Sequence, residues 1–125
     1  MFSHIMVGTD DLEASKLFYD SIFLATGGKE GVVDPKGRIV YVKDGGRFMV
    51  SKPIDGKTAT FANGGTIGFS MTSPEMVDTW HAAGVANGGI SIENPPGIRE
   101  GSRKLYLAYL RDPAGNKLCA VCPVA

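Results

Sequence analysis

The sequence predicts an α+β domain built from two copies of one βαβββ module. Three observations lead to this fold class: a repeat with an offset of 62 residues, one helical pattern in each copy, and glycine-rich turns between short apolar runs. The repeat places residues 4–18 over residues 66–80 and matches Ile5 with Ile67. Self-similarity of this kind indicates repetition of one supersecondary unit.

The first module begins with an apolar strand that leads into an amphipathic helix. Residues 3–9 form the apolar run, and Asp10 and Asp11 follow as candidate helix caps. The apolar helix face recurs at spacings of three and four and consists of Ala14, Leu17, Phe18, Ser21, Ile22 and Ala25. Gly27 and Gly28 are expected to end the helix. Three short strands are predicted near 28–34, 38–43 and 47–52.

The second module repeats this order after a polar linker at 54–64, so the modules span about 1–53 and 65–125. A strand at 65–72 precedes a helix that starts at Ser73-Pro74-Glu75, a capping serine followed by proline and an acid. The remaining predictions are strands near 90–94, 104–111 and 117–122, a charged loop at 98–104 and a turn at 112–116. One module is too small to bury a good core alone, so the chain is predicted to be a single domain of 125 residues.

Composition narrows the classes of function. The net charge is zero, which gives no reason to expect nucleic acid or an anionic membrane as partner. No apolar run approaches the roughly 20 residues of a membrane span, and the first residues lack a signal-peptide layout, so the cytoplasm is the expected location. Cys119 and Cys122 lie three apart on one strand and point to opposite faces, which predicts two reduced thiols.

Alternation along the strands predicts which side chains face away from the helices. The set predicted to pack under the helices is Ile5, Val7, Thr9, Ile67, Phe69 and Met71. The opposite set is His4, Met6, Gly8, Thr66, Gly68 and Ser70. Two such sheets side by side would enclose a cleft lined by the second set. The repeat also aligns Tyr41 with Tyr109 and Met49 with Cys119.

The order of these motifs resembles the vicinal oxygen chelate superfamily, which includes glyoxalase I, extradiol dioxygenases, fosfomycin-resistance enzymes and bleomycin-resistance proteins. The resemblance rests on His4 in the first strand, Asp11-Leu12-Glu13, Phe18-Tyr19 and the stretch 109–118. It implies a glyoxalase-type fold, in which paired βαβββ modules form a U-shaped sheet around a central cleft. It also implies a homodimer.

The resemblance further implies where a metal would bind. In metal-dependent members, a histidine on the first strand of a module and a carboxylate on its last strand supply ligands. The matching positions here are His4, Met49, Thr66 and Cys119. A thioether and a hydroxyl are poor ligands for zinc, nickel, manganese or iron, so no metal or other cofactor is expected. A metal site would need ligands from elsewhere, such as Glu93, Glu100 or a partner chain.

Three functions stay open at this point. The first is a metal-independent protein that binds or transforms a small organic molecule, with His4 as the candidate for proton transfer. Its candidate ligand-binding residues are Met6, Met49, Thr66, Ser70, Cys119, Arg103 and Lys104, the last two for an anionic group. The second is a metal-dependent lyase or isomerase of the lactoylglutathione lyase type. The third is a domain that binds a protein partner.

Overall fold

The computed structural model describes all 125 residues and contains eight strands and two helices. The elements are β1 Ile5–Gly8, α1 Leu12–Ala25, β2 Val32–Val33, β3 Ile39–Lys43, β4 Gly46–Ser51, β5 Ile67–Ser70, α2 Pro74–Ala86, β6 Ile90–Arg99, β7 Leu105–Arg111 and β8 Lys117–Pro123. This order is one βαβββ module repeated twice. Neither helix combines the length and the hydropathy needed to cross a membrane.

Each module forms its own four-stranded mixed sheet. The strand order is β1-β4-β3-β2 in the first sheet and β5-β8-β7-β6 in the second. In both sheets the first strand runs parallel to the last strand of its module, and the other neighbours are antiparallel. The predicted α+β fold of paired modules is confirmed.

Both helices begin at caps that the sequence predicts. The Asp11 carboxylate accepts a hydrogen bond from the Ala14 N–H at 3.0 Å, and the Ser73 hydroxyl accepts one from the Met76 N–H at 3.1 Å. These bonds give acceptors to N–H groups of the first helical turn, which have no partner within the helix. After α1, Gly27 adopts a φ of +89°, a left-handed conformation that glycine takes without a steric cost.

The two modules share one hydrophobic core, because their helices and aromatic side chains pack against each other. The core contains 17 buried residues drawn from both halves of the chain. Gly84 of α2 lies against Phe18 of α1, and the Phe48 and Phe69 rings meet with centroids 5.4 Å apart. The strand residues predicted to lie under the helices are all in this core, packed against it or, for Thr9, fully buried beside it.

The turn at 112–116 joins the two modules through hydrogen bonds. The buried Asp112 carboxylate accepts a hydrogen bond from the Tyr19 hydroxyl at 2.5 Å, and the Asn116 side chain donates to the Gly8 carbonyl at 3.0 Å. Tyr19 and Gly8 belong to the first module. The sequence identified this segment as a turn, but its second role is to hold the modules together.

Strand β6 is longer than predicted. It runs through Pro95-Pro96 to Arg99, with a register shift between Ile92 and Gly97, so the charged loop covers 100–104 rather than 98–104. The Arg99 guanidinium donates to the carbonyls of Asn94, Pro95 and Gly97, which satisfies groups released from the ladder by the irregularity. Because β6 is an end strand, prolines without an N–H are tolerated there.

The alignment of Tyr41 with Tyr109 is wrong by one residue. Val40 pairs with Met49, and Tyr109 pairs with Cys119, so Val40 is the equivalent of Tyr109. Tyr41 is buried in the core, whereas Tyr109 lies on the opposite face. The shift arises because the β3–β4 turn has two residues and the β7–β8 turn has five.

Candidate functional site

The faces of the two sheets that point away from the helices carry Met6, Met49 and Cys119 of the predicted site. We call this surface the open face. Register places Met6 of β1 beside Met49 of β4, and Gly68 of β5 beside Cys119 of β8. The predicted alignment of Met49 with Cys119 therefore agrees with the strand pairing.

In the first module, the open face is formed by a histidine and two methionines. His4 precedes β1 and is exposed, and its Nδ1 lies 2.8 Å from the Ser3 hydroxyl. Met6 is 43% exposed and Met49 is 5% exposed. The hydrogen-bond partner of His4 is a hydroxyl rather than a carboxylate, so no acid orients the imidazole in the way a paired general base requires.

In the second module, the Cys119 thiol is held against Gly68. A Cβ at residue 68 would lie 3.3 Å from the Cys119 sulfur, so a side chain there would crowd the thiol. Burial raises the pKa of Cys119, and Glu93 raises it further, while Lys117 acts in the opposite direction. Cys119 is therefore a neutral thiol at neutral pH and a poor nucleophile.

A charged pair lies close to Cys119. The Lys117 ammonium group donates to the Glu93 carboxylate and also lies over the Tyr109 ring, 4.7 Å from its centroid. Glu93 adopts a φ of +59° within the irregular part of β6, a conformation that residues other than glycine rarely take. We call Glu93, Lys117 and Tyr109 the charged cluster.

The sequence indicates Glu93 only as a possible metal ligand and predicts no role for Lys117 in a site. Lys117 precedes Cys119 by two residues, so strand alternation places both on one face, and this signal was available. The position of Glu93 depends on the backbone irregularity in β6, and no sequence spacing indicates it.

The other predicted ligand-binding residues lie near the ends of strands. Thr66 directly precedes β5, Ser70 ends it, and both are exposed. Arg103 and Lys104 are exposed in the loop between β6 and β7. Lys104, the last residue of that loop, precedes Tyr109 by five residues, which is roughly 17 Å along the strand. The structure therefore brings Met6 next to Met49 but does not bring Arg103 or Lys104 to Cys119.

The comparisons with known proteins agree with this architecture. A family model described as Glyoxalase/Bleomycin resistance protein/Dioxygenase superfamily matches residues 1–120. The chain belongs to this superfamily. A search of curated proteins finds no match.

Among solved structures, a glyoxalase/bleomycin resistance protein from Albidiferax ferrireducens T118 is 53% identical, with a TM-score of 0.93 over 97% of this chain and 98% of that chain. A lactoylglutathione lyase from Agrobacterium tumefaciens is 21% identical, with a TM-score of 0.68 over 97% and 92%. A variant of the fosfomycin resistance protein FosX from Listeria monocytogenes, complexed with Mn(II) and a dihydroxypropylphosphonic acid, is 17% identical, with a TM-score of 0.67 over 96% and 87%. At such identities the last two show the fold alone.

The donor set of this superfamily member does not fit a divalent metal. The positions matched to metal ligands offer one imidazole, one thioether, one hydroxyl and one thiol, and the thioether and the hydroxyl are poor ligands for such metals. No three His, Cys, Asp or Glu side chains come together in the chain. Glu93 is already paired with Lys117, and Glu100 is exposed in the β6–β7 loop. Zinc, manganese, nickel and iron sites take several imidazole, carboxylate or thiolate ligands at once.

Proposed function

We propose that this glyoxalase-superfamily chain binds a small organic molecule on its open face and does so without a divalent metal. The observation that carries the proposal is the chemistry of that face. Soft apolar side chains and a neutral thiol stand where hard metal ligands would be required, and a charged cluster lies near the thiol. This combination suits an organic ligand better than a metal ion.

The methionines supply the apolar part of the proposed site. Met6 and Met49 are register neighbours on β1 and β4, and Met6 is partly exposed. Thioether side chains are flexible and polarisable, so they adapt to rings and alkyl groups of different shapes. Met6 is therefore the side chain that we expect to contact the apolar part of a ligand.

The charged cluster supplies the polar part. A lysine ammonium has three donors, and Glu93 takes one of them. The remaining donors and the exposed half of the Glu93 side chain are available to a ligand that carries an acceptor and a donor. The Tyr109 ring limits where the ammonium can move, because Lys117 lies over it.

We assign binding to this site and no chemical step. His4 is the candidate for proton transfer should the ligand also react, because its imidazole is exposed at the start of β1. We also propose ligand contacts by Thr66, Ser70, Arg103 and Lys104.

We further propose that the chain forms a homodimer and is cytoplasmic. Light scattering tests the homodimer, and cell fractionation tests the location.

The experiment is a thermal-shift screen of metal-free protein in the presence of a chelator. The compounds are aromatic acids, quinones and phosphonates, the last because FosX is complexed with a phosphonic acid. A ligand that binds only the folded chain raises the melting temperature. We expect at least one class to give a shift that Met6→Ala and Lys117→Gln reduce.

The matched control is Lys29→Gln, which removes one exposed ammonium without a hydrogen-bond partner, away from the charged cluster. It should leave the shift unchanged. A shift that requires added metal would favour the lactoylglutathione lyase type of chemistry. The absence of any shift across the classes would favour a partner-binding domain. Either result contradicts the proposal.

A further inference from the structure

A cavity lies between the two modules on the helix side of the sheets, and we call it the inter-module cavity. Its volume is about 270 Å³. Its walls come from both modules and include Ile5, Phe23, Phe48, Ile67, Phe69 and Trp80. Ser70 is the one predicted ligand-binding residue that lines it. Ser70 belongs to β5, which is an end strand and so has one backbone edge that no other strand of its sheet pairs with.

The size of the cavity exceeds ordinary packing defects. Protein interiors hold few voids larger than a water molecule. An engineered apolar cavity of about 150 Å³ binds benzene. A cavity of about 270 Å³ therefore accommodates an aromatic ring with a short substituent.

The walls favour a flat aromatic occupant. The Phe69 ring meets the Phe23 ring edge-on, with centroids 5.8 Å apart and planes at 87°, while Phe23 stacks on Tyr41 at 4.5 Å. These rings contact one another directly, and the parts of them that are left uncovered form the aromatic wall of the cavity. An aromatic ligand gains from either contact beyond the area it buries.

Charged residues line the same cavity. The Lys43 ammonium donates to the Asp44 carboxylate at 2.7 Å, so these two charges offset each other. Arg47 also lines the cavity, is exposed and has no carboxylate or carbonyl partner in the chain. The three residues leave one net positive charge, on a guanidinium whose donors match a carboxylate in a paired geometry.

We propose that the inter-module cavity is a binding site for a small planar aromatic carboxylate. The ring packs against the cavity walls that Phe23 and Phe69 form, and the carboxylate pairs with Arg47. This site is independent of the open face and needs neither the charged cluster nor the methionines.

The chain carries its own reporter of this site, because its single tryptophan, Trp80, lines the cavity. The probe is cinnamate, a flat ring with one carboxylate, titrated against the full chain while Trp80 emission is followed. The uncharged cinnamamide has nearly the same shape and serves as the matched ligand. We expect a saturable change with both probes and tighter binding of cinnamate.

Arg47→Gln should weaken cinnamate binding about tenfold and leave cinnamamide binding unchanged, since a charge-assisted pair is lost. Lys36→Gln, which removes an exposed charge outside the cavity, should bind cinnamate as the wild type does. No saturable change in Trp80 emission, or equal weakening in Lys36→Gln and Arg47→Gln, would overturn the proposal.

Discussion

At the scale of single residues, the Asp112 carboxylate accepts four hydrogen bonds, and the one from Tyr19 joins the modules. Its carboxylate accepts from the Tyr19 hydroxyl at 2.5 Å, the Ala114 and Asn116 N–H groups at 2.9 Å and the Asn116 side chain at 2.8 Å. It is 2% exposed. Burying a carboxylate costs free energy unless hydrogen-bond donors of the protein replace its water. The loss of one donor should therefore lower the stability of the fold.

Asp112→Asn should therefore lower the free energy of unfolding by about 2–4 kcal/mol. The NH2 group of the new side chain would face N–H or O–H groups that now donate to the carboxylate, so these donors would lose their acceptor. Tyr19→Phe should lower it by about 1–2 kcal/mol through the loss of one bond. Urea denaturation measures both changes. Glu30→Gln, at an exposed carboxylate with no hydrogen-bond partner, is the control. Equal stability of Asp112→Asn and Glu30→Gln would contradict this role.

Cys119 should react slowly with thiol reagents in the native state. Burial raises its pKa and limits access, so little thiolate forms at neutral pH. We expect alkylation by iodoacetamide to be about 100-fold slower than for the unfolded chain. A Cys122→Ser variant isolates the signal of Cys119. Alkylation at the unfolded rate would show an accessible thiolate instead.

Individual site residues could be predicted from sequence only where strand alternation determines the face. Met6, Met49 and Cys119 lie on the open face for that reason, and Cys119 and Cys122 are free thiols on opposite faces. The contact of Glu93 with Lys117 could not be predicted, because Glu93 itself has a left-handed backbone conformation in the irregular part of β6.

At the scale of elements, the contact between the two helices depends on Gly84. A Cβ at this residue would come within 2.4 Å of Leu110 Cδ1 and 3.2 Å of Phe18 Cε1. Both neighbours are fully buried, so neither has room to move. The close approach of α2 to α1 and β7 therefore requires the absence of a side chain.

Gly84→Ala should lower the free energy of unfolding by about 1–3 kcal/mol, because the added methyl group overpacks the core. The change should be unfavourable even though alanine favours a helix over glycine by about 1 kcal/mol. Val85→Ala, at the exposed neighbouring residue of α2, should be nearly neutral. Thermal and urea unfolding test the pair, and a stabilised Gly84→Ala would contradict the close contact.

The boundaries of the elements follow their local signals closely where those signals exist. Asp11, Ser73 and the paired glycines give the helix ends. Strand β6 departs from prediction because Pro95-Pro96 reads as the end of a strand. The Arg99 guanidinium donates hydrogen bonds to the carbonyls that the irregularity frees, and no sequence pattern indicates these bonds.

At the scale of the whole molecule, the repeat predicts the fold but not how the halves meet. The shared core needs rings from both modules, such as Phe48 and Phe69, and their pairing has no signature in either copy. The hydrogen bonds from Tyr19 to Asp112 and from Asn116 to Gly8 likewise join residues about a hundred positions apart. The inter-module cavity follows from this packing and was not predicted.

The stability of the whole fold should fall at alkaline pH because of its buried tyrosines. Burial raises the pKa of Tyr19, and the charge of Asp112 adds to this. Burial and the hydrogen bond to Asp20 raise the pKa of Tyr41. In the unfolded chain both phenols lose protons near pH 10. Above that pH the folded state holds more protons, so the free energy of unfolding decreases as pH rises.

Urea denaturation at about pH 8 and pH 10.5 measures this loss, with Tyr19→Phe as the comparison. The variant should lose less stability between the two pH values than the wild type, since one of the two phenols is absent. An identical loss in both proteins would contradict a raised pKa at Tyr19.

The central claim is that this chain keeps the fold of the glyoxalase superfamily while its open face serves an organic ligand in place of a metal. Calorimetric titration of metal-free protein with zinc, manganese, nickel and iron(II) tests it most directly. We expect no binding at one ion per chain in the micromolar range and no rise in melting temperature. One ion per chain, with a rise in melting temperature that His4→Ala abolishes, would contradict the account.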